Sequence, residues 1–138
     1  LFIGHYMWHI GGKNIAESSW NNTNTAMNHI NENIQSSDAI ISGEIYTYFH
    51  TSYYNRTNKE IILLKPKEEL GWVGEWGLIK KLNTPEISSL ESVKSPRIWL
   101  ILREKTYDEY KKQVPPYWQL KQEFHDGDLI IGLYENKK

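Results

Sequence analysis

The chain has 138 residues, a net charge of −1 from 16 basic and 17 acidic side chains, and no Cys. That length suits one domain with one core and no covalent staple. The missing thiol excludes disulfides, thiol catalysis and cysteine-ligated zinc, and the even mixing of charge leaves no basic footprint for a nucleic acid.

Residues 1–12, "LFIGHYMWHIGG", are aromatic and end in Gly11-Gly12, a break signal. The first residue is Leu, and the chain reads as a piece of a longer protein. No apolar run reaches the roughly 18 residues that span a bilayer. Residues 1–13 are read as an aromatic lead-in or juxtamembrane segment, where Phe2, Tyr6 and Trp8 suit a membrane interface, and 14–138 as one domain. The next stretch, "ESSWNNTNTAMNHINENIQSSD", places Trp20, Met27, Ile30 and Ile34 on one helical face with Ala26 beside them, and Ser18 or Ser19 is predicted to cap it. Asp38 ends a turn, Ala39-Ile40-Ile41 is a short buried strand, and Gly43 permits a sharp exit. "EIYTYFHTSYYN" is predicted as a second helix with Ile45, Phe49, Ser52 and Tyr53 on one side.

"EIILLK" is a second continuous apolar strand, stopped by Pro66. Residues 66–95 have no clear period, although "TPEISSLESV" carries a Thr-Pro-Glu helix start. "RIWLILR", 97–103, lacks polar alternation, so both of its faces are buried and it is predicted as the central strand. "TYDEYKKQ" is a short helix broken by Pro115-Pro116. The last two strands flank Asp126-Gly127, a strong hairpin turn. Apolar strands separated by helices predict an α/β fold: a small three-layer Rossmann-like domain with a mainly parallel sheet and a C-terminal antiparallel hairpin.

Chemistry is sparse along this chain. "GWVGEWG" is not a phosphate-binding glycine pattern, and no G-x-S-x-G elbow occurs. His5 and His9 have a metal-like spacing without an acidic partner, and no metal or cofactor is assigned. Asn21-Asn22-Thr23 and Asn55-Arg56-Thr57 match the glycosylation tripeptide, a pattern that an Asn-rich chain also produces by chance. Glu44 is the position of interest, because it ends the first strand at the edge where open α/β sheets bind ligands. With Tyr46, His50 and Tyr54 on the following helix it defines a polar and aromatic pocket, to which Trp72 and Trp76 are added as candidate ligand-binding residues. The other reading, which is preferred, makes Glu44 a helix N-terminal cap favoured by the dipole. The chain's 6 Trp, 9 Tyr and 3 Phe suit carbohydrate or interface surfaces and also a small core, and the core is the preferred place for any one of them.

The order of these pieces resembles the C-terminal extracytoplasmic domain of bacterial membrane glycosyltransferases of the dolichyl-phosphate-mannose–protein mannosyltransferase type. Asp38, Tyr53, Tyr54, Arg97, Trp99 and Tyr134 carry most of the resemblance, which spans residues 14–136. The "GWVGEWG" insert and the Asn-rich first helix depart from it. The resemblance implies a non-catalytic accessory domain, with catalytic acidic residues in a membrane portion outside this chain and a full-length parent that is the glycosyltransferase. It implies a multi-pass membrane protein, a location on the extracytoplasmic face, and partners in the membrane-embedded part of the same chain and in a polyprenyl-phosphate sugar or glycan acceptor. The alternative is a free-standing soluble α/β domain, either a small-ligand binder or a modest hydrolase.

Overall fold

A computed structural model describes residues 13–65 and 84–138, with side chains from residue 23 onward. The readings for residues 1–12 and 66–83, and the side chain of Trp20, lie outside the described residues. In chain order the elements are α1 (Lys13–Asn33), β1 (Asp38–Ser42), α2 (Ile45–Tyr54), β2 (Ile61–Leu64), β3 (Glu86–Ile87), β4 (Arg97–Arg103), α3 (Tyr107–Lys111), β5 (Trp118–Asp126) and β6 (Leu129–Asn136). Short 3₁₀ turns precede and follow β4.

The six strands form one sheet in the order β3-β2-β1-β4-β6-β5. The first four are mutually parallel, and β6 and β5 add an antiparallel hairpin beside β4. The α/β class, the mainly parallel sheet and the hairpin all agree with the sequence. So does the central place of β4, which lies between β1 and β6.

Strand alternation divides the core into two layers. Trp99 and Ile101 point to one face, where Met27 and Ile30 of α1 cover them together with Ile40. Ile98, Leu100 and Leu102 point to the other, against Leu90, Tyr110 and Trp118. Trp99 is 0% exposed. A third, smaller cluster of Ile45, Phe49 and Leu63 holds α2 against β2.

Four local readings are corrected. α1 is described from Lys13 and runs through Ser18 and Ser19, so neither serine caps its start. α2 buries Ile45, Thr47, Phe49, His50 and Thr51, whereas Tyr53 is 42% exposed and sets its ring 5.0 Å from that of Tyr54. The segment read as a Thr-Pro-Glu helix is the strand β3: Pro85 O accepts from Leu63 N at 2.9 Å and Ile87 O from Lys65 N at 2.8 Å. The open edge of β2 supplies these bonds, and they outweigh a local helix-start signal. The hairpin loop is Gly127-Asp128, because Asp126 pairs with Leu129, and Gly127 takes φ 59°. Glycine reaches that left-handed region without a Cβ penalty.

Candidate functional site at the switch point of the sheet

The chain leaves β1 toward β2 and β3, then returns to lay β4 on the other side of β1. This reversal is a topological switch point, and open α/β sheets place ligands outside the strand C-termini there. The residues that this chain delivers to that place are Ser42 at the end of β1, Gly43 and Glu44 after it, and Arg103 at the end of β4. Asp128 arrives from the hairpin loop, whose backbone carbonyl accepts from Glu104 N at 2.7 Å.

Three charges meet here. Arg103 Nε lies 3.3 Å from Asp128 Oδ2 and 3.9 Å from Glu44 Oε2. Neither contact has hydrogen-bond geometry, so Nε is buried and held by Coulomb attraction alone. Glu44 Oε2 also accepts from Thr47 Oγ1 at 3.4 Å. Glu44 and Arg103 are largely covered, and Asp128 is 46% exposed, so the cluster opens to water through Asp128. Two carboxylates against one guanidinium leave a surplus of one negative charge.

Glu44 occupies the N-cap position of α2, with extended backbone, but its side chain makes no cap hydrogen bond. The preferred cap reading is corrected on that point. The carboxylate turns toward Arg103 and Thr47 because β4 ends beside it, a fact of strand order and not of local sequence.

His50 is buried on α2, and its pKa is lowered to about 4 by burial first and by the Arg103 charge second, with Asp128 opposing. The imidazole is therefore neutral at pH 7. Tyr110 of α3 packs over Gly43 and is pushed up to about 12 by burial and by the charges of Glu44 and Glu109. A Cβ at Gly43 would stand 2.5 Å from Leu102 Cδ2 and 3.3 Å from the Tyr110 ring. The glycine thus serves close approach, since the ring of Tyr110 needs the space.

Of the residues named from the sequence, Glu44 and His50 lie in the surroundings of Arg103 and Asp128. Tyr46 is partly buried in the first turn of α2. Tyr54 is at the far end of that helix, roughly 15 Å along its axis from Glu44 at ordinary helical rise. There it packs against the α1 side of the core, and its carbonyl accepts from Asn31 Nδ2 at 3.3 Å. Trp72 and Trp76 lie outside the described residues. Sequence reasoning missed Asp128, although "DGD" in a hairpin beside the central strand was the available signal. Among the described residues no group of three or more His, Asp or Glu side chains is placed to hold a metal ion.

A second polar cluster sits at the opposite edge, where the parallel strands begin. Trp99 Nε1 donates to Asp38 Oδ2 at 2.9 Å, and Gln35 N donates to the same oxygen at 2.9 Å. Arg97 Nε lies 3.3 Å from Asp38 Oδ1, with its guanidinium 6.0 Å from the centre of the Trp99 ring. The Asp38 side chain is fully buried.

These features define an α/β protein whose strands β3-β2-β1-β4 follow the order of the doubly wound, Rossmann-like sheets. No family model matches the chain, and no curated protein matches it. Among solved structures it resembles the 16S rRNA methylase RmtB, with a TM-score of 0.49 and 9% sequence identity over 88% of this chain. The chain spans 64% of that protein's length.

Proposed function

We propose that this chain is a non-catalytic extracytoplasmic accessory domain of a polyprenyl-phosphate-sugar-dependent membrane glycosyltransferase. It sits over the membrane-embedded part of the same polypeptide and helps position donor or acceptor. One observation carries the reading. Asp38, Arg97 and Trp99, three of the residues on which the sequence resemblance rests, pack as one unit around the fully buried Asp38 carboxylate and tie β1 to β4. Among the described residues no helix is long and apolar enough to cross a membrane.

The complete reading frame of the gene tests this directly. Several apolar segments of about 20 residues are expected upstream of Leu1. An initiation codon immediately before Leu1 overturns the proposal.

A second reading has its own observation. Glu44, Arg103 and Asp128 gather at the switch point, the usual ligand place of such sheets, which favours a free-standing small-ligand-binding domain or a modest hydrolase. Under that reading Glu44→Ala abolishes submicromolar binding of the ligand. Under the accessory reading, glycans and polyprenyl phosphates bind the isolated chain weakly and Glu44→Ala changes little.

A further inference from the structure

The edge opposite the switch point holds a cleft of about 590 Å³, lined by Asn33 at the end of α1, Gln35 after it, Arg97 of β4, Lys121 and Gln122 of β5, and Glu135 of β6. Arg97 enters it in an unusual state. Its Nε is engaged by the fully buried Asp38 carboxylate, and the guanidinium plane is braced near the Trp99 ring. Among the described residues, no hydrogen bond involves its Nη1 or Nη2. Arg97 and Glu135 are direct cross-strand partners, yet Glu135 pairs with Lys121 at 3.0 Å and Lys137 at 2.7 Å instead. The guanidinium is thus held in place by its inner edge while its outer fork remains available.

Arg97 and Lys121 line the cleft and are balanced by Asp38 and Glu135, while Lys137, outside the lining, reaches the same Glu135 carboxylate. The switch-point cluster carries a surplus negative charge, so of the two edges an anion is better received at this balanced one. A planar fork with two outer donors, beside the Lys121 ammonium, matches an anion with three accessible oxygens. Amide side chains of Asn33, Gln35 and Gln122 line the rest of the cleft and suit the polar remainder of a ligand.

We infer that this cleft is a binding site for a phosphate group, gripped by the Nη fork of Arg97 and by Lys121. The inference rests on the cleft and its charges alone, and it stands or falls apart from the membrane-enzyme reading.

The test is two-dimensional NMR of the ¹⁵N-labelled chain while sodium phosphate replaces sodium chloride at constant ionic strength. Saturable shifts are expected at the Trp99 indole N–H and around Gln122. Lys121→Gln, at a side chain 42% exposed and therefore harmless to the fold, is expected to raise the half-saturating concentration roughly tenfold. Shifts that never saturate, or that Lys121→Gln leaves unaltered, overturn the proposal. Sedimentation with phosphatidylglycerol and phosphatidylcholine vesicles separates the sources of the phosphate. Co-sedimentation with phosphatidylglycerol alone, competed by inorganic phosphate and lost in Lys121→Gln, identifies a lipid headgroup. Saturable phosphate binding without co-sedimentation identifies a soluble phosphate ester or free phosphate.

Discussion

Trp99 and Asp38, 61 residues apart in the chain, are joined by an indole N–H···carboxylate hydrogen bond of 2.9 Å inside the protein. The bond lies between adjacent parallel strands: Asp38 is level with Arg97 on β4, and Trp99 is level with Ile40 on β1. One buried carboxylate therefore organises the strand-start edge, fixing an indole, a backbone amide and a guanidinium at once.

This arrangement predicts a graded response at Trp99. Trp99→Ala removes a fully buried ring from the central strand and is expected to cost about 3–5 kcal/mol. Trp99→Phe keeps most of the packing but removes a donor from a buried carboxylate, for about 1–3 kcal/mol. Urea denaturation followed by circular dichroism measures both. A Trp99→Ala chain that melts like the parent contradicts the buried, central placement.

His50 predicts a specific acid sensitivity. Its folded pKa of about 4 lies below the ordinary 6.5, so between those values the unfolded chain binds a proton that the folded chain refuses. The stability is fully present above pH 6.5 and is lost as the pH falls toward 4. The shift corresponds to a loss on the order of 3 kcal/mol. His50→Gln should flatten this part of the stability profile while carboxylate titration remains. An unchanged slope between pH 6.5 and 4 in that variant excludes His50 as the cause.

Gly43 predicts a steric coupling. A methyl group there meets Leu102 Cδ2 at 2.5 Å and the Tyr110 ring at 3.3 Å. Gly43→Ala should destabilise by about 1–3 kcal/mol through overpacking. Leu102→Ala in the same chain should relieve part of the strain, so the double variant is more stable than the sum of the two losses. Strict additivity in this cycle removes Leu102 as the obstacle.

Much of the fold was legible because it rests on local pattern. "RIWLIL" lacks polar alternation, which requires apolar neighbours on both faces, and β4 has them. Met27, Ile30 and Ile34 follow helical spacing, and Met27 and Ile30 are fully buried against the sheet. β3 was not legible, since two residues with a Pro-Glu start have no strand periodicity, and only the open edge of β2 makes them a strand. The candidate sites were legible in halves. Glu44 stood out because it ends a strand, but Arg103 and Asp128 acquire meaning only when β4 lies next to β1 and the hairpin folds back beside β4. Tyr54 illustrates the reverse case, a residue close in sequence that helical rise carries to the far edge.

By itself the sequence determined the α/β class, the buried character of the strands, the glycine-dependent hairpin and the exclusion of thiol chemistry. Each of these depends on residue type and spacing within a few positions. Only the tertiary structure decided which charges meet, why one edge carries a negative surplus while the other is balanced, and which Arg keeps an outer fork available. Those outcomes depend on strand order and register, which bring together side chains separated by many tens of residues and leave no periodic trace along the chain.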